Sequence, residues 1–237
     1  MNLAPLFDLR IHTPRLELRF ATDADLVRLA KVADEGVTEP DDIFLLTNWD
    51  ALPLPLIERE MLGQAQQLRT DWQPESRWHA QFVVCVDGEP IGVQELQTSD
   101  FTRRRVVETH SWLGEKYQGQ GYGTEMRAAV LFLAFEHLGA IRAESGYLEG
   151  NTKAVRVSER LGYRANGTKI VIARECRIME YRLLLERESW KREAVPVSVE
   201  HVEACLLLFG ARAWTNRQRV PASSAAERSP ISRDPPG

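Results

Sequence analysis

Leu113-Gly-Glu-Lys-Tyr-Gln-Gly-Gln-Gly-Tyr-Gly-Thr124 joins a segment of alternating apolar and polar residues to one with helical spacing. Gly119, Gly121 and Gly123 free the backbone to take positive φ, so successive N–H groups can turn toward one point. The helix that follows adds unbonded N–H groups and the positive end of its dipole, a combination that suits phosphate. Two nucleotide-binding loops fail on spacing. The nucleoside-triphosphate loop closes with Gly-Lys-Ser/Thr, and Gly123-Thr124 has no lysine. The dinucleotide fingerprint counted from Gly119 wants glycine or alanine at 124, which is threonine, although Glu144 stands about 20 residues on, as that fingerprint requires. A tight turn that holds no ligand is the plain alternative for such a link.

Outward from this loop the chain reads as strands and helices. Val106–Leu113 is expected as a strand, with Glu108, His110 and Trp112 on one face by the period of two. Phe82–Val86 and Ile91–Leu96 flank Asp87-Gly88-Glu89-Pro90, a hairpin signal. Arg15–Phe20 alternates as a half-buried strand, and Thr22-Asp-Ala-Asp25 opens a helix that Gly36 stops. From Val37 to Pro74 the pattern is broken by prolines, leaving one helix near Leu56–Leu68. Downstream, Gly121–His137 is a helix apolar on most sides and Ile141–Tyr147 a strand. Asn151–Leu161 is a helix capped by Gly162, and Tyr163–Ala173 with Cys176–Leu185 forms a final antiparallel pair. This order predicts an α+β fold: a mixed, mostly antiparallel central sheet with one parallel strand–helix–strand crossover, where a ligand would sit. The domain is expected over residues 1–187. An extension over 188–219 would hold a short strand near Val195–Val199 and a short helix near Val202–Phe209. Residues 220–237, rich in Ser, Pro, Arg and Ala, are expected to be a disordered tail.

The 237 residues are 43% apolar and 27% charged, an ordinary globular composition. A net charge of −4 gives no basic field for nucleic acid, and Arg103-Arg104-Arg105 reads as a solvated turn. No run approaches the roughly 18 apolar residues of a membrane span. Met1–Arg10 lacks the charged-then-apolar order of a secretory leader, so a cytoplasmic protein without a membrane partner is expected. Cys85, Cys176 and Cys205 lie far apart with no Cys/His cluster, which predicts free thiols and no metal site.

Several ordered motifs make the chain, from about Thr13 to Glu186, resemble the GNAT acyl-CoA N-acyltransferases, in particular the RimJ/RimL type. Gln118-Gly-Gln-Gly121-Tyr-Gly123 is similar to the family's pyrophosphate loop, Gln/Arg-x-x-Gly-x-Gly/Ala. Thr13-Pro-Arg-Leu-Glu-Leu-Arg19 with Thr22-Asp-Ala-Asp25 resembles the opening of that branch. Glu108-Thr-His-Ser-Trp-Leu113 resembles its strand before the loop, and Asn151 with Glu159-Arg-Leu-Gly-Tyr163 its following helix. Trp112–Val130 is also similar to an actinobacterial subgroup in which some members take succinyl-CoA.

The resemblance implies acetyl-CoA as acyl donor, with succinyl-CoA as the alternative. The acceptor would be a primary amine, on a small molecule or a protein N-terminus, that attacks directly. Ser111, Trp112 and Leu113 would pair with the pantetheine arm. Gln118, Gly119, Gln120, Gly121, Tyr122, Gly123 and Thr124 would hold the pyrophosphate. Asn151 belongs to the same coenzyme site, and Lys153 or Arg156 would meet the 3′-phosphate. Glu108 is the first candidate for the base, through water, followed by Glu144 and His110. Ser158 stands where many relatives carry a tyrosine that protonates the leaving thiolate. A succinyl carboxylate would need a cation, and His79, Arg69, Arg77 and Arg174 are the candidates. A homodimer or higher oligomer is compatible with this reading, and a catalytically silent acyl-CoA sensor is the rival to it.

An α-amine of pKa ~7.8 is roughly 10–15% neutral at pH 7, against about 0.04% for a lysine amine at ~10.4, a difference of roughly 3.5 kcal/mol. A weak base therefore suits an α-amine better than an unactivated lysine.

Overall fold

The alternating segments form one nine-stranded sheet in the computed structural model, which describes residues 1–38, 44–192 and 195–211. In chain order the elements are β1 (Arg10–His12), β2 (Glu17–Phe20), α1 (Asp23–Asp34), α2 (Leu54–Thr70), β3 (Arg77–Val86), β4 (Glu89–Ser99), the one-turn α3 (Phe101–Arg104), β5 (Val106–Leu113), α4 (Tyr122–Phe132), β6 (Arg142–Leu148), α5 (Thr152–Leu161), β7 (Arg164–Ala173), β8 (Cys176–Glu186) and β9 (Ser198–Glu200). Across the sheet they lie in the order β7-β8-β6-β5-β4-β3-β2-β1-β9. Among these, β5 and β6 pair parallel and the other neighbours antiparallel, so the fold is the expected α+β one with a single parallel crossover.

The period of two decides what covers each face. Val83, Cys85 and Val93 pack with Leu26, Leu29 and Ala33 of α1 and with Ile57 and Met61 of α2. Phe82, Val84 and Leu96, at positions of opposite parity, face the other way and pack in one cluster with Met126, Ala129 and Val130 of α4. Among the described residues no helix is long and apolar enough to cross a membrane.

Several boundaries differ from the sequence reading. Three-residue β1 is too short to show a period. Strands β3 and β4 outrun the expected Phe82–Val86 and Ile91–Leu96, because polar residues such as His79, Gln81, Gln97 and Thr98 interrupt the apolar pattern without ending the ladder. The three arginines end a one-turn helix rather than a plain turn, with Arg105 at φ 52°. In place of a helix over Val202–Phe209 there is one turn at Glu203–Cys205. The indole nitrogens of Trp72 and Trp78 donate to the carbonyls of Leu208 (2.7 Å) and Phe209 (2.9 Å). Phe209 packs against both indoles, with centroids 5.6 and 4.9 Å away, so this segment shares the main core. The expected tail, 220–237, lies outside the described residues.

Helix α1 starts with a reciprocal cap. Thr22 Oγ1 accepts from the Asp25 N–H (3.2 Å), and Asp25 Oδ2 accepts from the Thr22 N–H (3.2 Å) and hydroxyl (2.8 Å). The same carboxylate takes Arg19 Nη2 at 2.6 Å and is buried. Burial raises its pKa, but the hydrogen bonds from Arg19 and Thr22 and the charge of Arg19 outweigh this and leave it lowered. A lowered carboxyl stabilises the fold above its unfolded pKa and loses that contribution as pH falls through the folded value. Asp25→Ala should cost about 2 kcal/mol at pH 7, because it uncaps α1 and removes one of the two carboxylates that hold Arg19, Glu17 remaining at 2.8 Å. The deficit should shrink below about pH 4. Urea unfolding at pH 7 and pH 3 measures both, and an equal deficit at the two pH values would remove the ion pair from the account.

Candidate active site

One cavity of about 540 Å³ opens where β5 and β6 part. The two strands pair at only three rungs, Val106 with Arg142, Val107 with Ala143 and Glu108 with Glu144. Past them Thr109, His110 and Ser111 line one lip, and Gly146, Tyr147 and Leu148 the other. The walls are completed by the start of α4, one face of α5, and the loop that carries Phe44, Leu46 and Trp49.

The glycine-rich loop meets the cavity as its sequence suggests. Gly119 (φ 74°) and Gly121 (φ 88°) both hold left-handed backbone, and Gly121 is the N-cap of α4. A Cβ on Gly119 would meet nothing within 4 Å, so this edge is open to a ligand. Gly123 serves packing, since a Cβ there would sit 3.3 Å from Val157 of α5. Thr124 Oγ1 is buried beside these glycines with no hydrogen-bond partner among the described residues. An orphaned hydroxyl, the free N–H groups of a helix start, and Lys153, Arg156 and Arg160 lining the cavity from α5 form a donor set that fits a pyrophosphate.

The loop is held in place by side chains. Gln118 Nε2 donates to the carbonyls of Val37 and Leu113, both at 2.8 Å, and its Oε1 accepts from Lys153 Nζ at 2.9 Å. Buried Glu125 accepts from Thr13 Oγ1 (2.6 Å) and from the Arg15 N–H (3.0 Å) and Nε (2.7 Å). The Thr13-Pro-Arg15 motif thus fastens the first strands to α4. Gln120 and Tyr122 fall outside the cavity wall: the Gln120 amide donates to the Lys116 carbonyl, and the Tyr122 ring lies under Arg15 at 4.5 Å.

The structure brings Ser111, Trp112, Leu113, Gln118, Gly119, Gly121, Gly123, Thr124, Asn151, Lys153 and Arg156 to the same cavity. Asn151 caps α5, its Oδ1 accepting from the Ala154 N–H at 2.9 Å. Three expected catalytic side chains stand elsewhere. Ser158 requires correction: helical spacing turns it away from the Lys153, Ala154 and Val157 face, it is buried, and its hydroxyl donates to the Ala154 carbonyl at 2.9 Å. Glu108 and Glu144 occupy the last paired rung, just short of the parting, and neither lines the cavity. Glu144 is 3.4 Å from Arg182. Glu108 is held below the usual carboxylate range chiefly by His110, whose Nε2 is 3.9 Å away.

The carboxylate that lines the cavity beside His110 is Glu95 on β4. It lies opposite His110 in the ladder and 3.3 Å from His79 Nε2, and Gln81 donates to it at 3.3 Å. Burial raises its pKa. The hydrogen bond and charge of His79, the charge of His110 and the Gln81 amide together outweigh that and leave it lowered. Its sequence signal is a charge set among Ile91, Val93 and Leu96 in a strand otherwise read as buried. Glu180 also lines the cavity, bound to Lys169 at 3.1 Å.

The four cations expected to anchor an acyl carboxylate are all engaged, and none lines this cavity. Arg69 binds Asp23 at 2.7 Å, Arg77 binds Asp71 at 2.7 Å, and His79 binds Glu95. Arg174 grips both oxygens of Asp50, at 2.8 and 2.9 Å, and so ties the loop that carries Trp49 to the β7–β8 turn. The cysteines are unpaired, and burial pushes the thiols of Cys85 and Cys205 up to about 11, far from a thiolate nucleophile at neutral pH.

A family model described as an acetyltransferase (GNAT) domain matches residues 15–164. Among solved structures, the chain is similar to Mycobacterium smegmatis RimJ in complex with CoA-disulfide. Identity there is 16% and the TM-score 0.66, over 85% of this chain and 96% of that one. It is similar to RimL, a ribosomal L7/L12 alpha-N-protein acetyltransferase in complex with coenzyme A, at 14% identity and TM-score 0.60, over 73% and 95%. A spermidine N-acetyltransferase SpeG chimera from Vibrio cholerae and hSSAT matches at 16% identity and TM-score 0.56, over 73% and 96%. At these identities the likeness shows a shared fold.

Proposed function

The chain belongs to the GNAT acetyltransferase family, and from that premise we propose that it transfers the acyl group of an acyl-CoA to a primary amine of low pKa, an α-amine in preference to a lysine side chain. The observation that carries this reading is a single cavity lined both by the Gly119–Thr124 helix start and by the partly buried Glu95 carboxylate. The N–H groups at the start of α4 bind the pyrophosphate, with Lys153 and Arg156 beside it. The free edge of β5 at Ser111–Leu113 orients the arm of the donor as an added strand would be oriented. The bound thioester supplies an activated acyl carbon, to which the amine nitrogen bonds as the carbon–sulfur bond breaks and the thiolate takes up a proton.

Glu95 attracts the acceptor as an ammonium ion and takes its proton, directly or through water. Because its pKa is lowered, Glu95 is a weak base, and a weak base suits an amine that is already partly neutral. His110, opposite Glu95, and Glu108, two residues along the same face of β5, pass that proton toward solvent. No thiol takes part, and Ser158 leaves the leaving group to be protonated by solvent or by the acceptor's own proton.

Thiol release from acyl-CoA tests this, with three acceptors: a peptide with a free N-terminus and no lysine, an N-terminally blocked peptide with one lysine, and spermidine. The free N-terminus should turn over fastest at pH 7. Faster transfer to the blocked lysine peptide would overturn the acceptor class, and no release with any amine would overturn the activity.

A further inference from the structure

The cavity has two ends of opposite character, and they lie on opposite faces of the sheet. Helix α4, whose start carries the glycine-rich loop, packs in one cluster with Phe82, Val84 and Leu96. Val93 belongs instead to the cluster of α1 and α2, and residues paired across a ladder share a face. Trp112 pairs with Val93 and His110 with Glu95, so the indole, the imidazole and the carboxylate all point away from α4. Where β5 and β6 part, the cavity passes from one face to the other. Its α4 side presents the helix start and the cations of α5. Its far side presents Glu95 and His110 among Phe44, Leu46, Trp49 and Trp112.

A molecule that reaches Glu95 from the far side is the acceptor. The carboxylate takes its ammonium group, which lays the atoms beside the amine against the aromatic wall. The rings of Trp49 and Trp112 lie 5.3 Å apart, tilted by 57°, and both pack on the α1–α2 core. Leu46 stands 55% exposed on the same wall. The protein's own contacts fix this wall in place. Asp50, next to Trp49, is gripped by Arg174 at 2.8 and 2.9 Å and accepts from the Thr38 hydroxyl at 2.9 Å. The Leu46 carbonyl accepts from the Arg174 N–H at 3.3 Å. A wall held in this way costs little further ordering when it is used. We propose that the preferred acceptor carries a large apolar or aromatic side chain on the carbon next to its amine, seated against Trp49 and Trp112. The proposal rests on the acyl-transfer reading of the cavity and adds the acceptor's side chain to it. A benzyl or isobutyl group covers the indoles, whereas a methyl group leaves them wet, and the difference in apolar area removed from water is the source of selectivity.

The test uses the full chain, acetyl-CoA as fixed donor, and lysine-free peptides that differ only in their first residue: Phe, Leu or Ala. Wild type should favour Phe and Leu over Ala by at least about tenfold in kcat/KM, about 1.4 kcal/mol. Trp49→Ala, checked by a thermal melt, should bring the three within about twofold, and Trp49→Phe should keep part of the preference. Equal rates for the three peptides in wild type overturn the proposal, with no variant needed. A preference that survives in folded Trp49→Ala overturns it too. The remaining arm pairs the Ala peptide with hexanoyl-CoA. Transfer about tenfold faster than from acetyl-CoA would seat the donor's chain on the indoles and overturn the acceptor assignment, and no such gain is expected. If no thiol is released with any peptide or with spermidine, the acyl-transfer reading itself fails. If all three peptides react alike, only the side-chain assignment does.

Discussion

Gly121→Asp should reduce acyl-CoA binding by at least about 100-fold, near 2.7 kcal/mol, while leaving the protein folded. Aspartate is a good helix N-cap and tolerates left-handed backbone better than most residues, so the φ of 88° at this N-cap is survivable. What it does not survive is function. A carboxylate placed among the N–H groups of the helix start occupies the site of the pyrophosphate and repels what remains of it. Arg15 limits the damage little: its Nη2 stands 3.2 Å from the new Cβ, but it is already paired with Glu125 at 2.6 Å. Calorimetric titration with acyl-CoA, beside a thermal melt, separates the two effects. Wild-type affinity in the variant would remove the loop from the coenzyme site.

Glu95→Gln should lower kcat by about 100-fold at pH 7, the low end of what a general base contributes. The loss should narrow as pH rises toward the pKa of the acceptor amine, because a neutral amine needs no base. The wild-type carboxyl is held below its ordinary value, so it stays ionised throughout the neutral range, and any acid limb there belongs to the amine. Coenzyme affinity should change far less than kcat, because Glu95 lies on β4, away from the glycine-rich loop. An unchanged kcat with intact folding would return the role to Glu108, two rungs nearer the end of β5 that pairs with β6.

The glycine-rich half of the candidate site was legible because it is local. Alternate glycines followed by a helix carry their meaning within a dozen residues, and backbone N–H groups need no distant partner to bind phosphate. The carboxylate half of the cavity is not local. Glu95 gains its setting from His79 and Gln81 on β3 and His110 on β5, and nothing within Ile91–Leu96 says that these will face it. Periodicity put Glu108 on the same face as His110, which is right. It could not tell that β5 and β6 stop pairing just after that rung, which moves the opening one step along. Ser158 misled because matching a relative's position does not fix a hydroxyl's partner, and a serine in mid-helix readily bonds its own preceding turn.

The pairing of Ile11 with Val199 has a bearing on how the protein comes to be made. Strand β1 lies between β2 and β9, so one flank of the first described strand stays bare until nearly the last described segment has left the ribosome. Trp72 and Trp78 likewise wait for the Leu208 and Phe209 carbonyls that accept hydrogen bonds from their indoles. Closing so long a stretch of chain costs entropy before any contact repays it, which places the completion of the sheet late and makes it slow. A nascent chain halted before Ser198 therefore presents an open strand edge beside exposed indoles, the kind of surface that chaperones hold and that misassembly exploits.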